Sequence, residues 1–569
     1  MSITTSTTPT FPDDFDLATY FLFDREREGL GDKVALRFGD RAWTYGEVAD
    51  RARSLAQFLI ESGLRPEQRV YIVLPDIPPF AWGIFGTLAA GGVLTMGNPI
   101  APTSDLEYVL DYVRASVLIT TPAVAAALAP ALPALPALHT ILLAPDAATG
   151  DDPEAPVQVP LELVGRTSRA PRVVSLDAAI RQGQSLDHPR PRIRRDDPAI
   201  WLFTSGSTGR SKAAMHSHRD FAFNTEVYAK RTVGYRQTDV TVSVPRLFFG
   251  YATGTNLWFP FAVGATVGLF SERPTAESVA AAIARYRPTI VTNVPTMLGK
   301  LLDLDDERRA RGEPGLDLSC VRFHLSAGEA LPEPLLRRFT ERFGAEVYDG
   351  IGSAEMFHIY CTNRPGDVKP GSLGRAVEGY TLRILPEDAE GAGATPLPPG
   401  EIGVLWVKGD SVAHGYFRDR DKSWKTFHGH WCRTGDLFSI DADGYLWFQG
   451  RADDLFKVGG IFVAPREVED CLLAHPAVSV VAVIPAEDQG LTKPKALVEL
   501  RPDARDLIAS PDGRRALVAE LKAHVQARLS KHKYPRWIAF VDDLPKNDRG
   551  KVDKKSLLER EKRGELGGE

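Results

Sequence analysis

Short apolar runs alternate with helix-patterned stretches along most of this chain. Val70–Leu74, Ala199–Thr204, Ala265–Phe270, Thr289–Val291 and Arg322–Ser326 read as strands. Between such runs lie segments like Glu47–Ile60, where apolar residues recur at helical spacing just after Thr44, a hydroxyl suited to capping. Strand–helix alternation of this kind predicts an α/β fold with largely parallel sheets, because each helix returns the chain to the end of the sheet where it began. At 569 residues the chain is too long for one core, so at least two domains are expected. The pattern changes at Gly450–Gly460. Beyond it we expect a small α+β domain: helix Pro465–Ala474, strands Ser479–Ile484 and Lys495–Leu500, helix Arg514–Leu529 and strand Trp537–Phe540. Ala123–Leu143 reads as a helix, and Asp146–Pro171 as a polar, proline-containing surface loop.

Composition narrows the function. The net charge is −6, without the basic excess that a nucleic-acid backbone demands, so no nucleic-acid partner is expected. Residues Met1–Pro9 carry no basic and apolar leader pattern, and the most apolar stretches, Ile84–Met96 and Ala123–Leu143, are interrupted by Gly or Pro. Neither a signal peptide nor a membrane span is expected. Cys320, Cys361, Cys432 and Cys471 fit no zinc spacing and read as reduced thiols of a cytoplasmic protein.

The sharpest local signal is Thr204-Ser205-Gly206-Ser207-Thr208-Gly209-Arg210-Ser211-Lys212, directly after a strand-like run. Small residues let backbone N–H groups and hydroxyls surround a phosphate, and Lys212 supplies positive charge. It is not a Walker A loop, because Ser rather than Gly precedes the lysine. The string resembles the phosphate loop of the acyl-adenylate-forming superfamily, which includes the acyl-CoA synthetases. Ser211 and Ala213 depart from that family's usual Pro and Gly at the loop's exit.

Other stretches resemble the same superfamily in the same order. Asp349-Gly350-Ile351-Gly352-Ser353-Ala354-Glu355 is similar to its adenine and magnesium motif, which implies Glu355 as the carboxylate that meets Mg²⁺. Ile351 stands where an adenine-stacking aromatic is usual, and Ala354 where a phosphate-binding Thr is usual. Thr434-Gly435-Asp436 implies a ribose-binding carboxylate in Asp436, and Gly450-Arg451-Ala452-Asp453-Asp454 implies a second ribose contact in Arg451 and a hinge at Asp453. Pro545-Lys546-Asn547-Asp548-Arg549-Gly550-Lys551 resembles the late lysine motif, with Asn547 replacing Thr, and implies Lys551 as the catalytic lysine. Lys533, Lys546, Lys554 and Lys555 around it read as solvated surface charges. The resemblance thus implies a large adenylation domain over residues 1–450 and a small mobile lid over 451–569. The ATP or AMP set is Thr204, Ser205, Gly206, Ser207, Thr208, Lys212, Asp349, Gly350, Ile351, Asp436 and Arg451.

Within the superfamily the likeness is greatest to the benzoate-CoA ligase subgroup. Asp349 to Ile359, Leu247 to Ala252, Ser326 to Pro332 and Ala18 to Phe21 carry it. The resemblance implies ATP, Mg²⁺ and coenzyme A as cofactors, a small aromatic carboxylic acid as substrate, and Phe249, Tyr251, Ala327, Gly328, Gly352 and His358 as the acyl pocket. One of Phe248 and Phe249 is expected to be ordinary core, His358 reads equally as a satisfied core histidine, and Asn293 is a candidate partner for a ring substituent. Aminobenzoate and hydroxybenzoate stay open as acids, and an acyl carrier protein stays open as acceptor. A homodimer and a nucleotide-binding regulatory protein without catalysis are also compatible with the sequence, although Glu355, Asp436, Arg451 and Lys551 together favour an enzyme.

Overall fold

The computed structural model describes residues 8–160, 163, 170–205, 210–329, 331–451, 456–458, 461–463, 465–488, 491–545 and 552–568. The chain divides into two compact units. One comprises Met1–Leu382 with Val407–Arg433, the other Arg383–Trp406 with Thr434–Glu569.

The first unit holds two mostly parallel sheets, as the alternating pattern predicts. Among the described residues, one has seven strands in the order Arg172–Ser175, Thr140–Leu143, Ala115–Thr120, Arg69–Val73, Val93–Met96, Pro198–Ser205, Ser211–Ser217. Every neighbour pair in it is parallel except the last, where Ser211–Ser217 folds back antiparallel. The other sheet has nine strands and runs from Arg375–Ala376 through Ile359–Thr362, Glu346–Gly352, Phe323–Ser326, Ile290–Asn293, Val240–Ser243, Thr266–Leu269 and Val34–Phe38 to Arg41–Thr44. Its central strands are parallel and fully buried, with helices Ala276–Tyr286, Pro295–Ala310 and Glu333–Phe343 contributing to the core on one face. Helix Tyr45–Glu61 begins at Thr44 in a capping box with Glu47, so two orphan donors of its first turn are satisfied.

The second unit contains the expected small α+β arrangement. Val478–Asp488 pairs antiparallel with Leu491–Leu500, which pairs parallel with Trp537–Phe540. Helices Pro465–Leu473 and Pro511–Gln526 pack against this sheet. Among the described residues, no helix of either unit is long and apolar enough to cross a membrane.

Two expectations need correction. Ala123–Leu143 is not one helix: Pro122–Leu128 is helical, Leu132–Ala134 is a 3₁₀ turn, and Thr140–Leu143 is a buried strand. Pro130, Pro133 and Pro136 break the helix, and the β-branched start of Thr140–Leu143 fits the sheet. Lys533 and Lys554 are not solvated charges. Lys533 Nζ lies 2.6 Å from Glu467, and Lys554 Nζ lies 2.7 Å from the buried Glu469, both on helix Pro465–Leu473. The lysine-rich surroundings therefore tie the end of the chain to the small unit's first helix.

Helix Leu176–Gly183 meets helix Tyr45–Glu61 backbone to backbone. A Cβ on Gly183 would stand 1.8 Å from the Ser54 carbonyl oxygen. Ala is the better helix former by about 1 kcal/mol, but overpacking costs about 1–3 kcal/mol or more. The clash should win, so Gly183→Ala should lower the thermal unfolding midpoint of the protein. An unchanged or raised midpoint would contradict the close approach.

Candidate active site

The glycine- and hydroxyl-rich string lies at a hairpin. Thr204 stands opposite Lys212 and Ser205 opposite Ser211 in the antiparallel pair. Gly206, Ser207 and Thr208 lie outside the described residues, as do Asp453 and Lys551.

Lys212, which ends the string, is largely covered, with its side chain 13% exposed. Its ammonium lies 3.2 Å from Asp419 and 5.8 Å from the centre of the Tyr416 ring. The Tyr416 hydroxyl donates to Glu355 Oε1 at 2.7 Å. Burial, reinforced by the Glu355 charge, pushes the phenol's pKa far above its usual value, so the hydroxyl stays a donor. Glu355 sits on a short turn, Ala354–Met356, that is tied down along its backbone. His216 Nε2 donates to the Ala354 carbonyl at 2.7 Å while its Nδ1 faces Asp220 at 3.0 Å. The Ala413 amide donates to the Glu355 carbonyl, and the Ser411 hydroxyl to the Met356 carbonyl.

The turn ends in a strained residue. Phe357 has φ 68° and ψ −58°, and the His358 amide donates to the Met356 carbonyl at 2.9 Å. This is a γ-turn of the rarer hand, which costs about 1–3 kcal/mol and persists only where its surroundings hold it. The Phe357 ring packs 3.7 Å, centroid to centroid, from Phe221.

His358 follows immediately and faces an aromatic wall. Its ring lies 5.4 Å from Tyr251, 5.5 Å from Tyr228 and 4.7 Å from Phe259. Nε2 lies 3.0 Å from the Tyr251 carbonyl, an acceptor, so this nitrogen carries the proton. Burial drives the His358 pKa down to about 3, leaving a neutral ring. Its Nδ1 and the Tyr251 hydroxyl have no hydrogen-bond partner among the described residues. His358 is therefore only half satisfied as a core histidine.

Glycines make this approach feasible. A Cβ on Gly352 would stand 2.5 Å from the His358 carbonyl, and one on Gly254 would stand 2.4 Å from the His358 ring. Gly352 thus permits the return of strand Ile359–Thr362 beside Glu346–Gly352, where Gly350 faces Thr362 and Ile351 faces Cys361. Phe249 starts the helical stretch that bears Tyr251, and it packs tilted at 4.4 Å from Phe248; both rings are half-buried, so neither is the core residue expected of one of them. Ala327 and Gly328 follow strand Phe323–Ser326, whose register puts Ser326 beside Asp349. Asn293 shares that face, and its amide lies 2.9 Å from His324 Nδ1. That hydrogen bond takes up the amide nitrogen and leaves the Asn293 side-chain oxygen without a partner among the described residues.

Asp349 is almost fully buried. Burial raises its pKa to about 8 against the opposing pull of Ser326 and the Leu331 and Gly350 amides. In the second unit, Asp436 stands directly opposite Arg451 in the antiparallel pair formed by Trp431–Ile440 and Leu446–Arg451. Within Trp431–Ile440 the Asp436 amide donates to the Thr434 hydroxyl at 3.2 Å.

Among the described residues, no group of three or more His, Cys, Asp or Glu stands ready to hold a metal alone. Glu355 offers a hard oxygen ligand of the kind that Mg²⁺ prefers. Sequence reasoning missed Tyr416, Asp419, His216 and Gly254. All four act through contacts between segments far apart in the chain, which local spacing does not reveal.

Comparison with known proteins places this geometry. Residues 23–417 match the AMP-binding enzyme family, and residues 467–551 match the AMP-binding enzyme C-terminal domain. The chain belongs to the AMP-binding enzyme family. It is 38% identical over 93% of both chains to the benzoate–CoA ligase of Thauera aromatica. It is 36% identical to the 4-hydroxybenzoate–CoA/benzoate–CoA ligase of Rhodopseudomonas palustris, over 96% of this chain and 94% of that one. Among solved structures it resembles the anthranilate CoA ligase AuaEII in complex with anthranoyl-AMP, with a TM-score of 0.83 and 33% identity, covering 97% of this chain and 98% of that one.

The raised pKa of Asp349 has a stability consequence. An aspartate in the unfolded chain titrates near 3.9, and in the folded chain near 8. The folded state therefore holds a proton that the unfolded state has lost between these values, and its stability falls as pH rises through that window. Asp349→Asn removes the titration. Urea unfolding at several pH values should find wild type losing stability relative to Asp349→Asn from pH 4 to pH 8. A difference independent of pH would contradict a buried, protonated Asp349.

Proposed function

We propose that this protein is an AMP-forming aryl-CoA ligase that activates a benzoate-type acid with ATP and transfers it to coenzyme A. The observation that carries the reading is the turn at residues 354–358. It places a carboxylate, Glu355, beside the phosphate-loop lysine's partner Tyr416 and sets His358, three residues on, against an aromatic wall. One short segment thus borders both a polyanion site and a flat apolar site. The relatives' substrates support the same assignment.

In the first half-reaction an oxygen of the acid's carboxylate attacks the α-phosphorus of ATP. The new O–P bond forms as the bond to the β-phosphate oxygen breaks, and pyrophosphate leaves. Carboxylates are weak nucleophiles, so the chain contributes position and charge. Thr204, Ser205, Gly206, Ser207, Thr208 and Lys212 hold the phosphates. Lys551 offsets charge at the α-phosphate. Bound Mg²⁺ would supply further charge neutralisation at Glu355. Asp349, kept protonated by burial, offers both a donor and an acceptor to the adenine edge, with Gly350 and Ile351 beside it. Asp436 and Arg451 take the ribose. In the second half-reaction the thiol of coenzyme A attacks the acyl carbon, loses its proton, and displaces AMP. A rotation at Asp453 of the lid over residues 451–569 would withdraw Lys551 and admit the thiol. The reaction is placed in the cytoplasm.

Phe249, Tyr251, Ala327, Gly328, Gly352 and His358 form the acyl pocket. A second reading, an amino- or hydroxybenzoate ligase, is favoured by the unpartnered Tyr251 hydroxyl and His358 Nδ1. A polar ring substituent reaching them avoids the desolvation penalty of about 1–3 kcal/mol that an unmatched group pays.

The test is kcat/KM over benzoate, 2-aminobenzoate, 4-hydroxybenzoate, acetate and decanoate. Burying a phenyl ring contributes about 1.5–3 kcal/mol, so an aryl acid should exceed acetate by about 10- to 100-fold. Preference for 2-aminobenzoate or 4-hydroxybenzoate over benzoate supports the second reading. Acetate or decanoate as best substrate would exclude both.

A further inference from the structure

The charged groups assigned to the triphosphate do not stand alone. Glu355 and Lys212 come from parts of the chain 143 residues apart, and one side chain touches both. We propose that Tyr416 is a positioning residue that fixes the spacing between Glu355 and Lys212 for the metal-bound triphosphate. The inference rests on the assignment of Glu355 and Lys212 made above.

The Tyr416 hydroxyl pins Glu355 Oε1 at 2.7 Å. With one oxygen held, the carboxylate cannot swing, and the other oxygen is left to meet a cation. The ring face of the same residue carries the Lys212 ammonium at 5.8 Å, within the range of a cation–π contact. Asp419, three residues on, draws that ammonium from the other side at 3.2 Å. The ring itself is held in turn. Its backbone bridges Ala214, two residues past Lys212, and it packs 5.2 Å from Phe427. Any movement of the segment 413–417 would therefore shift both charges together.

Two substitutions in the full-length protein separate the two contacts. Tyr416→Phe keeps the ring and loses the hydroxyl, whereas Tyr416→Leu loses both. Pyrophosphate release is measured as a function of Mg²⁺ and of ATP. Binding of Mn²⁺ with a non-hydrolysable ATP analogue is followed by electron paramagnetic resonance, and thermal unfolding is recorded alongside.

Loss of one charge-assisted hydrogen bond should raise the half-saturating Mg²⁺ in Tyr416→Phe by about tenfold, with a parallel loss of Mn²⁺ affinity. The KM for ATP should change less than about twofold in Tyr416→Phe and rise several-fold in Tyr416→Leu. A purely structural tyrosine would lower the unfolding midpoint and leave metal affinity as in wild type, and that result overturns the proposal. Glu355→Gln is measured beside them. If it weakens metal binding while Tyr416→Phe does not, the positioning role fails and the assignment of Glu355 stands. If neither changes metal binding, the assignment of Glu355 fails and the proposal with it.

Discussion

The candidate site depends on one set of backbone hydrogen bonds. Strand Ser211–Ser217 lies at the edge of its sheet, and its outer side would expose unpaired amides and carbonyls. Residues 413–417 cover it. The Met215 amide bonds the Gly415 carbonyl, the His414 amide bonds the Met215 carbonyl, and the Phe417 amide bonds the Ala213 carbonyl. This pairing satisfies the edge and delivers Tyr416 beside Lys212. The same segment reaches the Glu355 carbonyl through the Ala413 amide. A requirement of sheet chemistry thereby assembles three distant pieces of sequence into one charged constellation.

Burial then sets the character of the two sides. On the aromatic side, burial among Tyr251, Tyr228 and Phe259 drives His358 neutral. On the other side each charged group has a partner: Lys212 has Asp419, and Glu355 has Tyr416. The strained Phe357 lies between them. Its conformation is held by the Phe221 ring and by backbone contacts on both flanks, so the position of Glu355 and that of His358 are mechanically linked.

Much of this was legible in the sequence. Apolar runs located Arg69–Val73, Pro198–Ser205, Thr266–Leu269, Ile290–Asn293 and Phe323–Ser326 to within two residues, because buried parallel strands leave runs such as Val70-Tyr71-Ile72-Val73. The capping residue Thr44 was legible for the same local reason. Asp436 and Arg451, named separately from their motifs, prove to be direct cross-strand neighbours. Other features were not legible. The prolines of Ala123–Leu143 outweigh its alanine-rich helical propensity, and pairing with Ala115–Thr120 and Arg172–Ser175 makes Thr140–Leu143 a strand. Tyr416 carries no local signal at all, since its role arises from Ala214 and Glu355, both far away in sequence. Asn293 was named from the sequence, but the bond from its amide to His324, 31 residues on, was not legible there.

The central claim is that the acid is activated as an enzyme-bound acyl-AMP before any thiol takes part. Isotope exchange between labelled pyrophosphate and ATP measures that step directly. Exchange should require benzoate or a substituted benzoate, proceed without coenzyme A, and be absent with ATP alone. Exchange that requires coenzyme A, or that is absent with every aryl acid while ATP is still consumed, would contradict the account.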